Sequence, residues 1–343
     1  MKEAMPRIVG NDALKTRLCR DIASGTLPHA CILEGARGTG RHTIAMMAAA
    51  ALACTSADDP DKPLPCLECP SCRKIMEKKS PDVILVGSEG KATVGVEAIR
   101  FLKEDVHILP NDLEHKIYII EDADRMTVQA QNAFLLTLEE PPAYVHFFLL
   151  AENAGSLLET VRSRAPVLRT EPLSPEAVDA WLCANDRRAA QMKLASPKDY
   201  NVLLRASGHG IGQALGFLDP KTFAPVLERR RLAEDLVAAA VKGGGAHTIL
   251  PILNRFSQKR DVLQEQLNCV SDALRDLLLL KKSEYAPLIF YTDEQEAAPL
   301  YDSVSLQFLY RFQQAVSDAT EDNSRNANVR LLLLKLASRA ALI

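Results

Sequence analysis

The chain has 343 residues, 47% of them hydrophobic, and a formal net charge of −3 at pH 7. This length accommodates two or three domains, each large enough to bury a core. A charge so close to zero excludes a global basic field that draws in nucleic acid, so DNA contacts must come from local clusters or from other chains. An aromatic content of only 5% favours helices over β-sandwiches.

The cellular compartment is predicted from apolar runs and cysteines. No apolar run approaches the roughly 18 residues of a membrane span, and the stretch from Met1 to Arg7 lacks the apolar region of a secretory signal. Eight cysteines without such a signal favour a reducing compartment over a disulfide framework. We therefore expect a cytoplasmic protein that does not contact the membrane.

A glycine-rich loop follows the first strong strand signal. The apolar run Ala30–Leu33 precedes Gly35, Gly38 and Gly40, and a helical pattern follows from Ile44 to Cys54. Strand, glycine loop and helix are the context of a phosphate-binding loop, in which backbone N–H groups and the helix N-terminus face an anion. The three glycines are therefore candidate nucleotide-binding residues. A plain glycine turn remains the alternative.

The two positions after Gly40 depart from the Walker A pattern. Arg41 stands in the lysine position and His42 in the Ser/Thr position, whereas Thr43 comes one residue late. The lysine normally reaches the outer phosphates and the hydroxyl normally binds magnesium. Arg41 keeps a positive charge in a bulkier, planar group, and His42 has no hydroxyl. Arg41 and Thr43 are candidate nucleotide contacts in a loop whose chemistry has changed.

Four cysteines follow the helix after this loop. Cys54, Cys66, Cys69 and Cys72 form a C-x11-C-x2-C-x2-C array. Four thiolates at such spacing complete a closed tetrahedral zinc site, which is structural because no position stays open for a substrate. Zinc would order the segment 54–80, which has few apolar residues. Free surface thiols and a redox C-x2-C pair are the alternatives.

Apolar strands alternate with helical patterns in the first half of the chain. Short apolar runs at 81–86, 117–120 and 145–150 lie between amphipathic segments, which is typical of a parallel sheet covered on both faces. After Pro172 only helical patterns follow. The predicted fold class is an α/β parallel-sheet domain of the P-loop type followed by all-helical domains.

Charged residues at the ends of these elements are further site candidates. Glu121 and Asp122 follow the run 117–120, where a Walker B element places an acid for magnesium and a second acid for water, although the order here is inverted. Surface acids are the plain alternative. Arg164 follows Ser163 near the end of the sheet domain. It is a solvated charge, the partner of an acid, or an arginine finger for a neighbour's phosphates.

In combination these motifs resemble one family, the clamp-loader subunits of bacterial DNA polymerase III, which belong to the AAA+ class. The resemblance covers the whole sheet domain and, more weakly, the helical remainder. Besides the P-loop and the cysteine array, it rests on Val9-Gly10-Asn11, Pro28-His29-Ala30, the stretch Asn132–Pro142 and Ser163-Arg164-Ala165.

The resemblance implies roles for several of these residues. In the family, the arginine of the Ser-Arg-Cys motif reaches the ATP of the adjacent subunit, and this role falls on Arg164. The cysteine array lies where the family carries zinc. Motor subunits keep an intact Walker A, an Asp-Glu Walker B and a sensor arginine, whose place is taken here by Gly212. These departures imply a non-motor subunit with impaired ATP hydrolysis, and leave open whether ATP and magnesium still bind.

The family also implies three domains and a set of partners. Residues 1–170 would form the AAA+ domain, with the zinc module at 54–80, residues 171–219 a helical lid, and residues 220–343 a helical collar. The partners would be motor (gamma/tau) and delta subunits in a hetero-pentamer of the polymerase holoenzyme, the sliding clamp, and primed DNA through the complex.

Two other functions compete with this reading. An ATP-hydrolysing motor subunit with an unusual P-loop is the nearest alternative, and hydrolysis by the isolated chain separates the two. A stand-alone zinc-dependent DNA-binding protein is weaker because no basic recognition helix accompanies the cysteines.

Overall fold

The computed structural model describes residues 3–87, 93–208, 210–243, 245–282 and 288–342. The chain divides into two compact units. The sheet unit comprises Met1–Trp181 and Gly208–Gln213, and the helical unit comprises Leu182–Ser207 and Ala214–Ile343.

Among its described residues, the sheet unit has five parallel strands in the order β2-β3-β4-β1-β5. They are β1 (Ala30–Glu34), β2 (Val83–Val86), β3 (Lys116–Ile120), β4 (Val145–Ala151) and β5 (Val167–Arg169). Every residue of β3 and β4 is buried. Strands covered on both faces read as continuous apolar runs, and this explains why the sequence located them within one or two residues.

Helices cover both faces of the sheet. They are α1 (Asp12–Ala23), α2 (Arg41–Leu52), α3 (Pro70–Met76), α4 (Val96–Asp105), α5 (Val128–Glu139) and α6 (Glu159–Arg162). On one face Leu33 and Ile119 share a core with α1, α2 and α3. On the other face Ile32 and Tyr118 share a core with α4 and α5. This alternation along each strand is the period of two that a pleated sheet imposes.

Local sequence signals set the ends of these helices. The Thr127 hydroxyl accepts the N–H of Ala130 and caps α5, and two prolines follow its last turn. Helix α2 begins at Arg41, three residues earlier than predicted, and ends at Leu52 rather than Cys54. The early start follows from Gly40, which caps the helix in a left-handed conformation with a φ of 91°.

The carboxyl ends of three strands meet beside β1. Glu34 at the end of β1 lies opposite Ala151 of β4 and Arg169 of β5. Because these strands are parallel, the loops after β1, β4 and β5 leave the sheet at the same edge. In addition, β1 lies between two strands that come later in the chain. This is the switch-point geometry at which parallel sheets bind ligands.

Three histidines pack at the opposite, amino edge. The His146 ring of β4 lies 5.7 Å from the His29 ring and 5.1 Å from the His115 ring, measured between centroids. Burial, with smaller effects from His115 and His29, lowers the pKa of His146 from 6.5 to about 4. His146 is therefore neutral in the folded protein near pH 7.

The chain enters the helical unit within α7 (Pro175–Asn185). The remaining helices are α8 (Arg187–Ala195), α9 (Pro197–Ala206), α10 (Ile211–Phe217), α11 (Pro220–Val241), α12 (Ala246–Leu253), α13 (Arg260–Lys281), α14 (Glu294–Tyr301), α15 (Leu306–Ser324) and α16 (Val329–Leu342). Their core includes Leu236, Leu274, Phe312 and Leu336. The predicted fold class is confirmed. The division of the helical part into a lid and a collar stays a prediction.

A buried carboxylate fixes one segment of the helical unit. Asp276 of α13 has no exposed surface. It accepts the backbone N–H groups of Ile289, Phe290 and Tyr291 at 3.0, 2.7 and 3.1 Å. Arg205 of α9 donates to the carbonyl of Thr292 in the same segment, at 2.8 Å. Within the part of the chain described, none of the helices is long and apolar enough to span a membrane.

Candidate functional site

The glycine loop after β1 depends on its glycines. Gly38 and Gly40 have φ values of 82° and 91°, which side-chain-bearing residues rarely adopt. A Cβ on Gly35 would lie 1.9 Å from the Thr170 hydroxyl oxygen. The Thr39 hydroxyl donates to the carbonyl of Ala36 at 2.8 Å and lies 2.9 Å from the Thr170 hydroxyl. The loop is thus fastened to the end of β5.

Glu152, directly after β4, lies close to two basic residues of this loop. One of its carboxylate oxygens, Oε1, is 3.4 Å from Nε of Arg37 and 4.0 Å from Nη2 of Arg41. Burial lowers the pKa of Arg41, while Glu152, Asp124 and Asp122 raise it. The positive charge that would meet a phosphate is therefore already facing carboxylates.

The residue in the hydroxyl position also faces an acid. His42 Nε2 is 3.4 Å from Glu121 Oε1. Burial lowers the pKa of His42 and Glu121 opposes that shift only in part, so the imidazole is mainly neutral at pH 7. Thr43 is exposed, and Asp122 holds a left-handed conformation with a φ of 48°. Acids outnumber fixed positive charges around Arg41, which disfavours a highly charged anion.

A second segment of the sheet unit lies against the loop. A Cβ on Gly38 would lie 2.8 Å from Cβ of Gln213, and a Cβ on Gly210 would lie 2.6 Å from the carbonyl carbon of Gly38. Gly212, in the expected place of a sensor arginine, would bring a Cβ to 3.8 Å from Cα of Gly38. The sensor position therefore touches the loop but carries no side chain.

The four predicted cysteine ligands come together. The sulfur atoms of Cys54, Cys66, Cys69 and Cys72 lie within 4.8 Å of one another, and all four residues are buried. A tetrahedral zinc–thiolate site needs sulfur–sulfur separations of about 3.8 Å, given zinc–sulfur bonds of about 2.3 Å. The cluster fits zinc with small adjustments, and its four donors leave no open coordination position.

Backbone N–H groups donate hydrogen bonds to two of these sulfur atoms. Cys66 and Cys69 accept the N–H groups of Cys69 and Cys72 at 3.4 Å each. Burial raises the pKa of Cys69, but the N–H of Cys72 and hydrogen bonds with Thr55 outweigh it and lower the pKa to about 6. Burial raises the pKa of Cys72. A bound metal would require both thiols to lose their protons.

The candidate finger Arg164 follows α6 and is held by two elements. Its Nη2 lies 2.5 Å from Oε1 of Glu139, the last residue of α5. Its Nη1 donates to the carbonyl of Thr160 at 2.9 Å and lies 3.4 Å from the Ser163 hydroxyl. The side chain keeps 35% of its surface exposed, so an incoming group can reach it.

Part of the chain is similar to known subunits of DNA polymerase III. A family model described as "DNA polymerase III, delta subunit" matches residues 10–174. Subunit delta' of Bacillus subtilis is 31% identical over 202 residues, which are 59% of this chain and 58% of that protein. Subunit tau of Salmonella typhimurium is 29% identical over 214 residues, 62% of this chain and 32% of that protein. Over residues 10–174 the chain is similar to the DNA polymerase III subunits of the clamp-loader family.

This similarity does not separate motor from non-motor subunits. Subunit gamma of Buchnera aphidicola (subsp. Acyrthosiphon pisum) is 30% identical over 175 residues, 51% of this chain and 47% of that protein. The matched region thus spans between 32% and 58% of the length of these three relatives. A solved gamma-subunit-related protein from Thermotoga maritima aligns over 96% of this chain and 99% of that chain, with 18% identity and a TM-score of 0.46.

Two residues that contact the candidate site were not among the predicted site residues. Glu152 contacts Arg37 and Arg41, and Glu139 contacts Arg164. The position of Glu152 at the carboxyl end of a buried strand was a usable signal, because such ends meet at the switch point. No sequence signal marked the pairing of Glu139 with a residue on another element.

Proposed function

We propose that this chain is the non-motor, delta-prime-type subunit of a DNA polymerase III clamp loader. It assembles with motor (gamma/tau) and delta subunits in a hetero-pentamer, works in the cytoplasm, and helps place the sliding clamp on primed DNA. The observation that carries the proposal is the contact of Glu152 with Arg37 and Arg41, because a motor needs the positive charge at the Arg41 position for phosphates.

Other features of the loop support an impaired ATPase. Phosphoryl transfer depends on positioning and on charge stabilisation. The loop offers neither a compact lysine charge nor a hydroxyl at position 42, and the sensor position holds Gly212. The backbone N–H of Gly35 donates to the carbonyl of Ala151 at 3.1 Å, so the N–H groups of Gly38 and Gly40 are the ones that would support weak nucleotide binding. These departures reduce the rate of hydrolysis without disturbing the fold.

In the proposed subunit, Arg164 contributes to ATP hydrolysis at the site of a neighbouring subunit. A guanidinium is planar and permanently charged, and one supplied in trans stabilises charge that develops on a transferring phosphoryl group. The cysteine cluster contributes by holding a structural zinc. Because no ligand position remains open, the metal would order the segment 54–80 and take no part in chemistry.

A motor subunit remains the second candidate because gamma and tau subunits are among the relatives. Steady-state ATP hydrolysis by the isolated chain decides between them. We expect no turnover above background, with or without clamp and primed DNA. Turnover near about 1 per second, an ordinary enzyme rate, would establish the motor function instead.

Arg164→Ala tests the finger in a reconstituted loader. Removal of a finger lowers hydrolysis at its target site by about 10³–10⁵-fold. Because one site of several loses its finger, the total ATPase falls by a fraction, and clamp loading falls at least as far. Arg164→Lys does not rescue, since lysine lacks the planar fork.

Arg162→Ala is the matched control. Arg162 is also exposed. Its backbone N–H donates to the carbonyl of Leu158, but its guanidinium has no hydrogen bond or ion pair with any residue that the structure describes. Its removal leaves ATPase and loading unchanged. If Arg164→Ala also leaves both unchanged, Arg164 is an ordinary surface charge.

A further inference from the structure

Glu139 occupies an unfavourable position for helix stability. It is the last residue of α5, and Glu140 caps the same end. The carboxyl end of a helix carries partial negative charge, so acids there destabilise it slightly. Two adjacent carboxylates add mutual repulsion. Local helix energetics therefore do not account for Glu139.

The contact with Arg164 does account for it. The Glu139 carboxylate holds Nη2 of Arg164 at 2.5 Å, while the carbonyl of Thr160 holds Nη1 at 2.9 Å. Thr160 belongs to α6, so the guanidinium is anchored from two separate helices. A long arginine side chain held at both terminal nitrogens loses most of its rotational freedom before any ligand arrives.

The anchored guanidinium keeps donors for an incoming anion. A guanidinium carries five N–H donors. Three contacts use its terminal nitrogens, and Nε has no acceptor within the part of the chain that the structure describes. The two helices therefore fix the orientation of Arg164 without using up its capacity to bind a phosphate.

We propose that Glu139 is the positioning residue of the finger: it holds Arg164 in the orientation that a neighbouring subunit's ATP requires. This inference rests on the proposed function of Arg164. A positioned finger acts on developing charge, so Glu139 raises kcat of the neighbouring site and leaves its KM for ATP nearly unchanged.

The test uses the reconstituted loader with clamp and primed DNA. Five versions of this chain are compared with the wild type, namely Glu139→Ala, Glu139→Gln, Glu140→Ala, Arg164→Ala and the double variant Glu139→Ala with Arg164→Ala. Zinc content and thermal unfolding of each variant establish that the fold is intact. The readouts are kcat and KM of ATP hydrolysis at low and high salt.

We expect Glu139→Ala to lower the Arg164-dependent part of kcat by about two- to fivefold, the range of an exposed ion pair. Glu139→Gln, which keeps an acceptor at the same place, recovers part of the loss. The difference from wild type shrinks in high salt because the pair is half-exposed. Glu140→Ala behaves as wild type, and the double variant equals Arg164→Ala.

Different outcomes contradict different claims. An unchanged kcat with Arg164→Ala removes the proposed finger and this inference with it. A loss with Arg164→Ala but none with Glu139→Ala removes only the role of Glu139. A further loss from Glu139→Ala in the Arg164→Ala background shows that Glu139 acts elsewhere. A gain in kcat with Glu139→Ala means that the carboxylate withholds the arginine, which also overturns the inference.

Discussion

Glu152 shows how a single carboxylate changes the electrostatics of a loop whose backbone is intact. The glycines after β1 adopt conformations that suit a phosphate-binding loop, and α2 starts directly behind them. The basic groups of that loop nevertheless face Glu152 at 3.4 and 4.0 Å. Loop geometry and loop charge therefore point to different binding properties.

Glu152→Gln tests this account on the isolated chain. Removal of the negative charge frees Arg37 and Arg41, so affinity for ATP or pyrophosphate rises by about fivefold at low salt, the effect of one partly exposed ion pair. A binding titration with a fluorescent ATP analogue measures the change. Glu140→Gln, which removes the same charge elsewhere, gives no gain. Equal affinity of the Glu152 variant and wild type contradicts the account.

His146 makes stability depend on pH. Its pKa is about 4 in the folded chain and about 6.5 when unfolded. Between these values the unfolded state binds a proton that the folded state does not, so stability falls as pH drops through this window. The loss is about 2 kcal/mol between pH 7 and pH 5.

Urea unfolding at pH 7 and pH 5 checks this value, with His146→Gln as the comparison. The variant cannot titrate at this position, so its stability changes less over the same interval. Zinc content is measured in both proteins, because thiolate ligands also respond to acid. An identical pH dependence in both proteins contradicts the assignment to His146.

At the scale of elements, the sequence predicted most of the sheet unit. Strands β3 and β4 are buried on both faces, and their short continuous apolar runs predicted them as buried strands. Thr127 and the two prolines marked the ends of α5 because capping and chain stiffness are local effects. Ion pairs between elements, such as Arg164 with Glu139, depend on how helices pack. Residue spacing carries no record of that packing.

The zinc site was predicted from cysteine spacing alone, and it can be tested by removing one ligand. Cys69→Ser removes one ligand from a site that, in zinc-finger peptides, contributes on the order of 10 kcal/mol. We expect zinc content to fall and amide exchange to accelerate in residues 54–80, with β3 and β4 unchanged. Cys183→Ser, which alters a thiol outside the cluster, retains its zinc. Less than about half an equivalent of zinc in the wild type contradicts the site.

At the scale of the whole molecule, each unit has its own core. The buried clusters of the sheet unit lie between Met5 and Leu168, and that of the helical unit lies between Leu232 and Ala340. Substitutions in one unit should therefore leave the other largely intact. Asp276 is suited to test this because it is fully buried and all its partners lie in the helical unit.

Asp276→Ala leaves three backbone N–H groups without their acceptor. Orphaned buried donors cost about 1–3 kcal/mol each, so we expect the helical unit to lose about 3 kcal/mol or more. Amide exchange then accelerates in α13 and α15 but not in β3 and β4. Asp276→Asn, which keeps one oxygen acceptor, costs less. Equal acceleration in both units shows that they unfold as one.

The contact between Gly38 and Gly210 limits which positions around the loop can carry a side chain. Neither position accepts a side chain without movement of a neighbour, because an added Cβ on Gly210 comes within 2.6 Å of the Gly38 backbone and one on Gly38 within 2.8 Å of Cβ of Gln213. Arg41→Lys supplies a more compact positive charge but moves neither this contact nor Glu152. A new side chain directed at the loop must therefore come from a position other than Gly38 and Gly210, such as Gly212, whose added Cβ would lie 3.8 Å from Cα of Gly38.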